Sequence, residues 1–517
     1  MLAARPAAVK FNVPSTPEQQ ACSQAIDRSL NAFWLLVERL HAAAEAHQPI
    51  HQVEETIFRD LLAMGRSLLQ AFLALSGDGD VGPTLTLPGD SPSEPTRTLP
   101  RRDGARARTY RSIFGDVPIE RICYGDGPVQ AAPLDAQLHL PRRQYSYLLQ
   151  QWLGALVVGD AHAEAVEKLQ TILGIAITVK ASEDLNREQA SDVEPFQDSR
   201  PGPEAQTEET ILVVAADCKG VPLVGSDLAE GETPATSPAP AVTGPQPHHR
   251  RGKGEKANKK RMAAVGAVYT IGALPRTADE VVNEVGRDES AQRRPPPQNK
   301  RVRAELLVGK VALFLWLADE VQRRDPEGTK PVVFLSDGER ALHEHQEEFL
   351  PEGVIGILDL FHVLEHLWKA AWCFFDEATE KPQAEAWVEA KLRRLLEGGV
   401  GSVIRGLRVM ATKRGLKGKA RKTVQQVAGY LKRNRERMKY DEYLAAGYPI
   451  GSGVVEGACR HLVKDRLERA GMRWRREGAQ AMLDLRATYL NGEWEAFWTY
   501  HVVKEDDRLY GKFRKAG

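Results

Sequence analysis

Residues 211–220 read ILVVAADCKG. Six consecutive apolar residues, half of them β-branched, fit a strand buried on both faces, and the run stops at Asp217. Two later stretches repeat the pattern. PVVFLSD (331–337) and VIGILDL (354–360) are apolar runs with Asp337 and Asp359 at or near their ends, each followed by a helical pattern. MAAVGAVYTIG (262–272) reads as a further strand and 302–323 as a helix. Alternating strands and helices predict an α/β core.

Working outward, the chain turns helical on both sides. Residues 380–445 form an all-helical, increasingly basic block that interrupts the core before the YPIGSG turn (448–453), and 454–470 reads as a helix carrying Glu456. Upstream, Thr16-Pro17-Glu18-Gln19 has the form of a helix start, and apolar spacing predicts helices over 17–46 and 52–76. A Gly-, Pro-, Asp- and Ser-rich stretch over 77–107 reads as a linker. TYRSIFG (109–115) and VPIERICYG (117–125) alternate around Gly115-Asp116 as a hairpin, before helices at 144–158, 161–173 and 182–193.

Of the 517 residues 42% are hydrophobic, enough for a buried core, so wholesale disorder is excluded. Seventy Lys and Arg balance seventy Asp and Glu, so any basic surface must be local. Cys22, Cys123, Cys218, Cys373 and Cys459 are scattered with no CxxC. That argues against a disulfide framework or a cysteine zinc site and fits a reducing compartment. MLAARPAAVKFNVPSTPEQQ lacks the continuous apolar segment of a signal peptide, and no apolar run approaches membrane-spanning length. A cytoplasmic protein without a membrane partner is expected.

Asp217, Asp337 and Asp359 fall where α/β sheets place their sites, at the carboxyl ends of strands. Gathered carboxylates repel one another unless a cation neutralises them, and oxygen-only ligands suit two Mg²⁺ or Mn²⁺ ions. Each acid alone also reads as a turn or capping residue. Glu456 lies in GSGVVEGACR (451–460), on a helix whose cations include Arg460 and Lys464, with Arg473 and Trp474 beyond. From Ser402 to Lys439 there are 13 Lys and Arg, among them Arg405, Arg408, Lys413, Arg414, Lys417, Lys419, Arg421 and Lys422, against the single acid Glu436. Residues 245–261 carry seven more against one Glu. Such stretches bind nucleic-acid phosphates in a salt-dependent way. His362-Val363-Leu364-Glu365-His366 also fits the H-x-x-E-H zinc-protease pattern, although no further ligand is evident.

Taken in order, ILVVAADCKG (211–220), PVVFLSDGERAL (331–342), ILDLFHVLEHLW (357–368) and GSGVVEGACRHLVKDRLERAGMRW (451–474) resemble the DDE class of bacterial insertion-sequence transposases. The similarity is to the ISKra-type group and, more distantly, to Mutator-like transposases, and it spans about 205 to 500.

The resemblance implies an α/β fold with a ribonuclease H-like catalytic core, an all-helical insertion and a mainly helical N-terminal region. It implies a triad of Asp217, Asp337 and Glu456 holding two Mg²⁺ (or Mn²⁺), with Asp359 and His362 matching a D-x-x-H signature. Asp359 remains the alternative second ligand, because some families place that acid in a D-x-F-H strand. The expected partners are double-stranded DNA (terminal repeats and target) and a second copy of the chain, as homodimer or higher oligomer. The expected organisation is an N-terminal helical region (1–76), a linker (77–107) and a hairpin plus helical DNA-binding region (108–204). A first core part (205–375) with disordered insertions at 226–260 and 279–300 follows, then a basic helical insertion (376–447) and the last core part (448–517). A non-transposing nuclease and a DNA-binding protein without activity are the alternatives on the same fold.

Overall fold

Small side chains decide how the chain begins to pack. Cys22 and Ala25 near the start of the helix Pro17–Glu45 meet Ala71 near the end of Ile50–Leu75, so the two helices run antiparallel. The structure, a computed structural model, describes residues 17–89, 95–125, 130–225, 227, 260–285, 296–469 and 471–514. Thr16 of the expected helix start lies outside them. The chain divides into two units, Met1–Asp192 with Trp494–Gly517, and Val193–Glu493. The C-terminal helix Trp494–Arg514 therefore groups with the N-terminal unit, where Asp192 binds His501 and Arg508.

The first unit corrects two expectations. Part of 77–107 is a ribbon, not a linker: β1 (Thr84–Leu87) pairs antiparallel with β2 (Arg97–Pro100). Asp80 anchors it by accepting from the Tyr124 hydroxyl at 2.9 Å and from Arg101 at 3.0 Å. Leu85, Leu87 and Leu99 of the ribbon pack on Ile122 and Tyr124, burial that composition alone does not reveal. In the second hairpin β3 (Arg106–Ser112) pairs with β4 (Gly115–Arg121), with Ser112 opposite Gly115. The loop is thus Ile113-Phe114, two residues earlier than the Gly115-Asp116 pair suggests.

The second unit is built on one mixed sheet. β5 (Ile211–Pro222), β6 (Lys260–Ile271), β7 (Gln298–Glu305), β8 (Val332–Ser336) and β9 (Ile355–Leu358) lie in the order β7-β6-β5-β8-β9. β5 is antiparallel to β6 and parallel to β8, which is parallel to β9. Leu212, Val214 and Ala216 turn to one face, where they bury against Leu313, Phe314 and Leu317 of the helix Lys310–Arg324 and Leu342 of Arg340–Phe349. Strand alternation sends Val213, Ala215 and Asp217 to the other face.

β7 is a strand where 302–305 was expected to be helical. It sits at the sheet edge, and its pattern QNKRVRAE does not advertise a strand because Arg301 and Glu305 are buried as ion pairs with Glu320 and Arg303. The expected insertion at 279–300 is also partly structured. Thr277 and Glu280 form reciprocal capping bonds at the start of the helix Ala278–Val285, whose Val281 and Val282 are buried. Of the insertion expected at 226–260, only Asp227 and Lys260 lie within the described residues, and so do only Lys260 and Arg261 of the basic cluster at its end.

The helical block consists of Lys381–Leu396, Val400–Lys413, Gly418–Arg433 and Tyr440–Ala445. It does not hang free of the sheet. The Tyr430 hydroxyl donates to the Asp337 carbonyl at 2.7 Å and the Tyr440 hydroxyl to the Leu358 carbonyl at 2.8 Å. Two tyrosines of the insertion thus bind the chain where β8 and β9 end. Among the described residues no helix is long and apolar enough to cross a membrane.

Candidate active site

The register of three strands brings three acids to one level. The parallel pairing of β5 with β8 ends at Ala215 opposite Leu335, so Asp217 and Asp337 each lie two residues further on. Ser336 pairs with Leu358, so Asp337 and Asp359 each lie one residue beyond that pair. Asp217 is not at a strand end, contrary to expectation, because β5 continues to Pro222 against β6. What ends near Asp217 is the neighbour on its other side, and that opens the sheet beside its carboxylate.

A left-handed turn carries the chain away from Asp337. Gly338 has φ of +86°, and a Cβ there would fall 2.7 Å from Leu358 and 2.9 Å from Asn434. Only glycine fits both the conformation and the space. Asp337 Oδ1 then accepts from the Glu339 amide at 2.8 Å. Glu339 itself pairs with Lys310 at 2.5 Å, so this fourth carboxylate is already neutralised.

Glu456 comes from the other end of the chain. It lies on the short helix Gly453–Ala458, which passes into a π-helical stretch, Cys459–Lys464, and then Asp465–Leu467. The wider turn places Cys459 Sγ 3.4 Å from Asp217 Oδ2, linking this helix to β5. π-Helical turns are rare and often mark functional sites.

Asp359 differs from the other acids. It is fully buried and caps the helix Leu360–Ala371. Its Oδ1 accepts from the amides of Phe361 and Ser452, each at 3.1 Å. Its Oδ2 accepts from His362 Nδ1 and Ser452 Oγ, each at 2.7 Å. A carboxylate offers about four lone-pair positions, and all of them are taken. Burial alone would raise the Asp359 carboxyl, but the bonds from His362 and Ser452 hold it below the ordinary range. The same bond pushes the His362 imidazole up to about 9, so it is a cation at neutral pH.

Among the described residues, the tightest grouping of ligand-type atoms is Asp359, His362 and Glu456, all within 4.8 Å of one another. Within it His362 and Asp359 are bonded to each other, and Asp359 has no free acceptor position. Asp217, Asp337 and Glu456, the expected triad, do not form such a grouping. None of these three forms an ion pair with a Lys or Arg among the described residues. Burial, and then the Asp217 charge, hold the Asp337 carboxyl above its usual range. Burial, and then the Asp359 carboxylate, do the same for Glu456. In both Asp337 and Glu456 the nearby His362 imidazolium acts the other way and favours the carboxylate.

The H-x-x-E-H pattern dissolves in three dimensions. His366 stacks on Tyr430 with ring centroids 3.9 Å apart, and burial drives its imidazole down to about 4. Glu365 is exposed and faces Lys369 at 3.5 Å.

The basic residues divide into free and occupied groups. Arg405, Arg408 and Lys413 on one helix, Lys417 before the next, and Lys419, Arg421 and Lys422 on it are all exposed. Arg414 is occupied: its guanidinium donates to the Phe374 carbonyl and lies 4.9 Å over Phe375. Arg460, which faces Asp465 at 3.9 Å, and Lys464 are exposed on the helix that carries Glu456, and Arg473 is exposed beyond it. Trp474 is also occupied, its indole donating to the Leu467 carbonyl at 3.2 Å and supporting Arg466 at 5.0 Å.

Ser452, Tyr430, Tyr440 and Cys459 take part in this architecture without having been singled out as site residues. Ser452 sits in plain view in the GSG turn, but nothing in that motif says which acid it would bind. No protein-family profile matches this chain, and no curated protein matches it.

Proposed function

We propose that this chain is a DNA transposase of insertion-sequence type, acting through a ribonuclease H-like core. In this reading it cuts a strand at the element's end and joins the freed 3′-hydroxyl to target DNA. The observation that carries the proposal is that Asp217 and Asp337 stand at one level of adjacent strands, with the helix of Glu456 linked to β5 beside them and no described Lys or Arg paired with the three acids. The mixed order β7-β6-β5-β8-β9, with both aspartates on neighbouring parallel strands, supports the same fold reading.

Asp217, Asp337 and Glu456 would hold two Mg²⁺ (or Mn²⁺). Such ions, when bound, supply activation of water or of a 3′-hydroxyl and charge stabilisation of the leaving oxygen. The chain's own residues do the rest. Ser452 and His362 fix Asp359, which ties the Glu456 turn to β9 and so sets where Glu456 stands. The His362 cation, whose charge reaches Asp337 and Asp217, offers an electrostatic partner for a phosphodiester at the acids. The exposed cations of 400–433 and of Arg460, Lys464 and Arg473 would bind DNA backbone, outside or flanking the cut. A reaction on two element ends calls for at least a dimer.

The test is incubation of purified protein with a labelled duplex of the element's end and a target plasmid, in Mg²⁺ and in EDTA. Metal-dependent nicking with a joined product is expected. Nicking without joining would leave a nuclease, and binding without nicking a DNA-binding protein.

A further inference from the structure

The helical pair Pro17–Glu45 and Ile50–Leu75 leaves one of its sides apolar and open. Leu61, Leu68, Phe72 and Leu75 are 51–63% exposed, and Leu30, Phe33 and Phe58 39–46%. The geometry points to a second copy of this chain as the group that covers them, the two helical hairpins closing face to face as a four-helix bundle. The inference is independent of the function proposed above, which calls for a dimer without locating its contact.

Three observations carry it. First, the open residues of both helices fall on one side of the hairpin. Cys22 and Ala25 meet Ala71 and Ala74 within it, and Arg39 pairs with Asp60 across it. Open residues follow these inward or buried positions directly in the chain. Ile26 follows Ala25, Leu30 follows the buried Ser29, Leu61 follows Asp60, Phe72 follows Ala71 and Leu75 follows Ala74. One residue turns a helix by about 100°, always in the same sense. Because the helices run antiparallel, that turn away from their shared contact carries both stripes to the same side.

Second, the spacing is that of a bundle seam. Ile26, Leu30, Phe33, Val37 and Leu40 recur at steps of four and three residues. Phe58, Leu61, Gly65, Leu68, Phe72 and Leu75 do the same, and neither series contains a charged residue. Such a repeat holds apolar side chains in line against a partner helix, whereas a solvated face carries charges at those positions.

Third, the face has the size of an interface. At roughly 100 Å² for each of the seven side chains, about 700 Å² lies open, more than the largest apolar patch of a typical monomer. It approaches the ~800 Å² that each partner buries in a stable complex. A two-fold axis uses one such face twice and leaves none of it over. A single partner helix lying between the two stripes would leave their outer edges in water.

The test is sedimentation equilibrium of the full chain without DNA, the monomer mass being 57.3 kDa. The wild type is expected to be a dimer at micromolar concentration. Leu68→Glu and Phe72→Lys, made separately, should each raise the dimer dissociation constant about a hundredfold or more, because each would bury an unpaired charge. Leu35→Glu is the control. Leu35 is 47% exposed but precedes the buried Leu36, which turns it to the opposite side of the hairpin, so this variant should remain dimeric. Hydrogen exchange of the wild type needs no substitution and should slow over 26–40 and 58–75 as the dimer forms. A monomeric wild type overturns the inference. So does a dimer that survives both substitutions, one that Leu35→Glu disrupts equally, or exchange over these two stretches that dimer formation leaves unaltered.

Discussion

Ser452 reaches Asp359 twice, through its amide at 3.1 Å and its hydroxyl at 2.7 Å. The pair joins the glycine-rich turn before Glu456 to the end of β9, more than ninety residues earlier in the chain. Because Asp359 also caps the helix that carries His362, one buried carboxylate positions both a cation and the third acid of the site.

Ser452→Ala removes one charge-assisted bond and leaves a buried acceptor short of a donor. A loss on the order of 2 kcal/mol in unfolding free energy is expected by denaturant titration. Unchanged stability would contradict the role given to this hydroxyl.

Asp337→Asn and Asp359→Asn should separate ligand from scaffold. The first is expected to lose Mn²⁺ binding, read by electron paramagnetic resonance, with stability near that of the wild type. The second should unfold more readily while keeping metal binding in the folded fraction. The reverse assignment would make Asp359 the ligand.

His362 gives the site a pH signature. Its imidazole rises from 6.5 to about 9 on folding, mainly through the Asp359 bond. A raised value stabilises the fold in full below the unfolded value, and the contribution fades as pH rises through the folded one. For Asp359, burial acts upward but its bonds prevail and lower it from 3.8, so its contribution is lost in acid. In EDTA, the melting-temperature gap between wild type and His362→Gln should be widest between about pH 4 and 6.5 and close near pH 9. A gap that widens above pH 7 would refute the pairing.

Replacing Arg405, Arg408, Lys419 and Lys422 with Gln should weaken duplex binding and flatten its salt dependence. The slope of log affinity against log salt is expected to fall by about 0.9 for each phosphate that the variant no longer neutralises. Measured by anisotropy, an unaltered slope would remove this surface from the DNA path.

The strands that carry acids were legible because buried strands are apolar throughout, and ILVVAAD and PVVFLSD show it. β7 was not, since its buried Arg301 and Glu305 are matched by opposite charges on Glu320 and Arg303. The nearness in sequence of Asp337 and Asp359 to their strand ends suggested two interchangeable ligands. What tells them apart is hydrogen bonding from Ser452 and His362, and a bond between residues so far apart in the chain leaves no periodic trace. The same holds for Tyr430 and Tyr440, which read as ordinary helix residues yet bind the ends of β8 and β9. Charge runs revealed where cations cluster but not which were spent: Arg414 is engaged with the Phe374 carbonyl and the Phe375 ring.

The most direct test of the central claim is strand cleavage of a labelled end duplex in Mg²⁺ by wild type and Asp217→Asn, with DNA binding measured in the same samples. The wild type should cut and the variant should bind as tightly yet not cut. Cleavage by Asp217→Asn at the wild-type rate would contradict the assignment of the acids, and with it the proposed function.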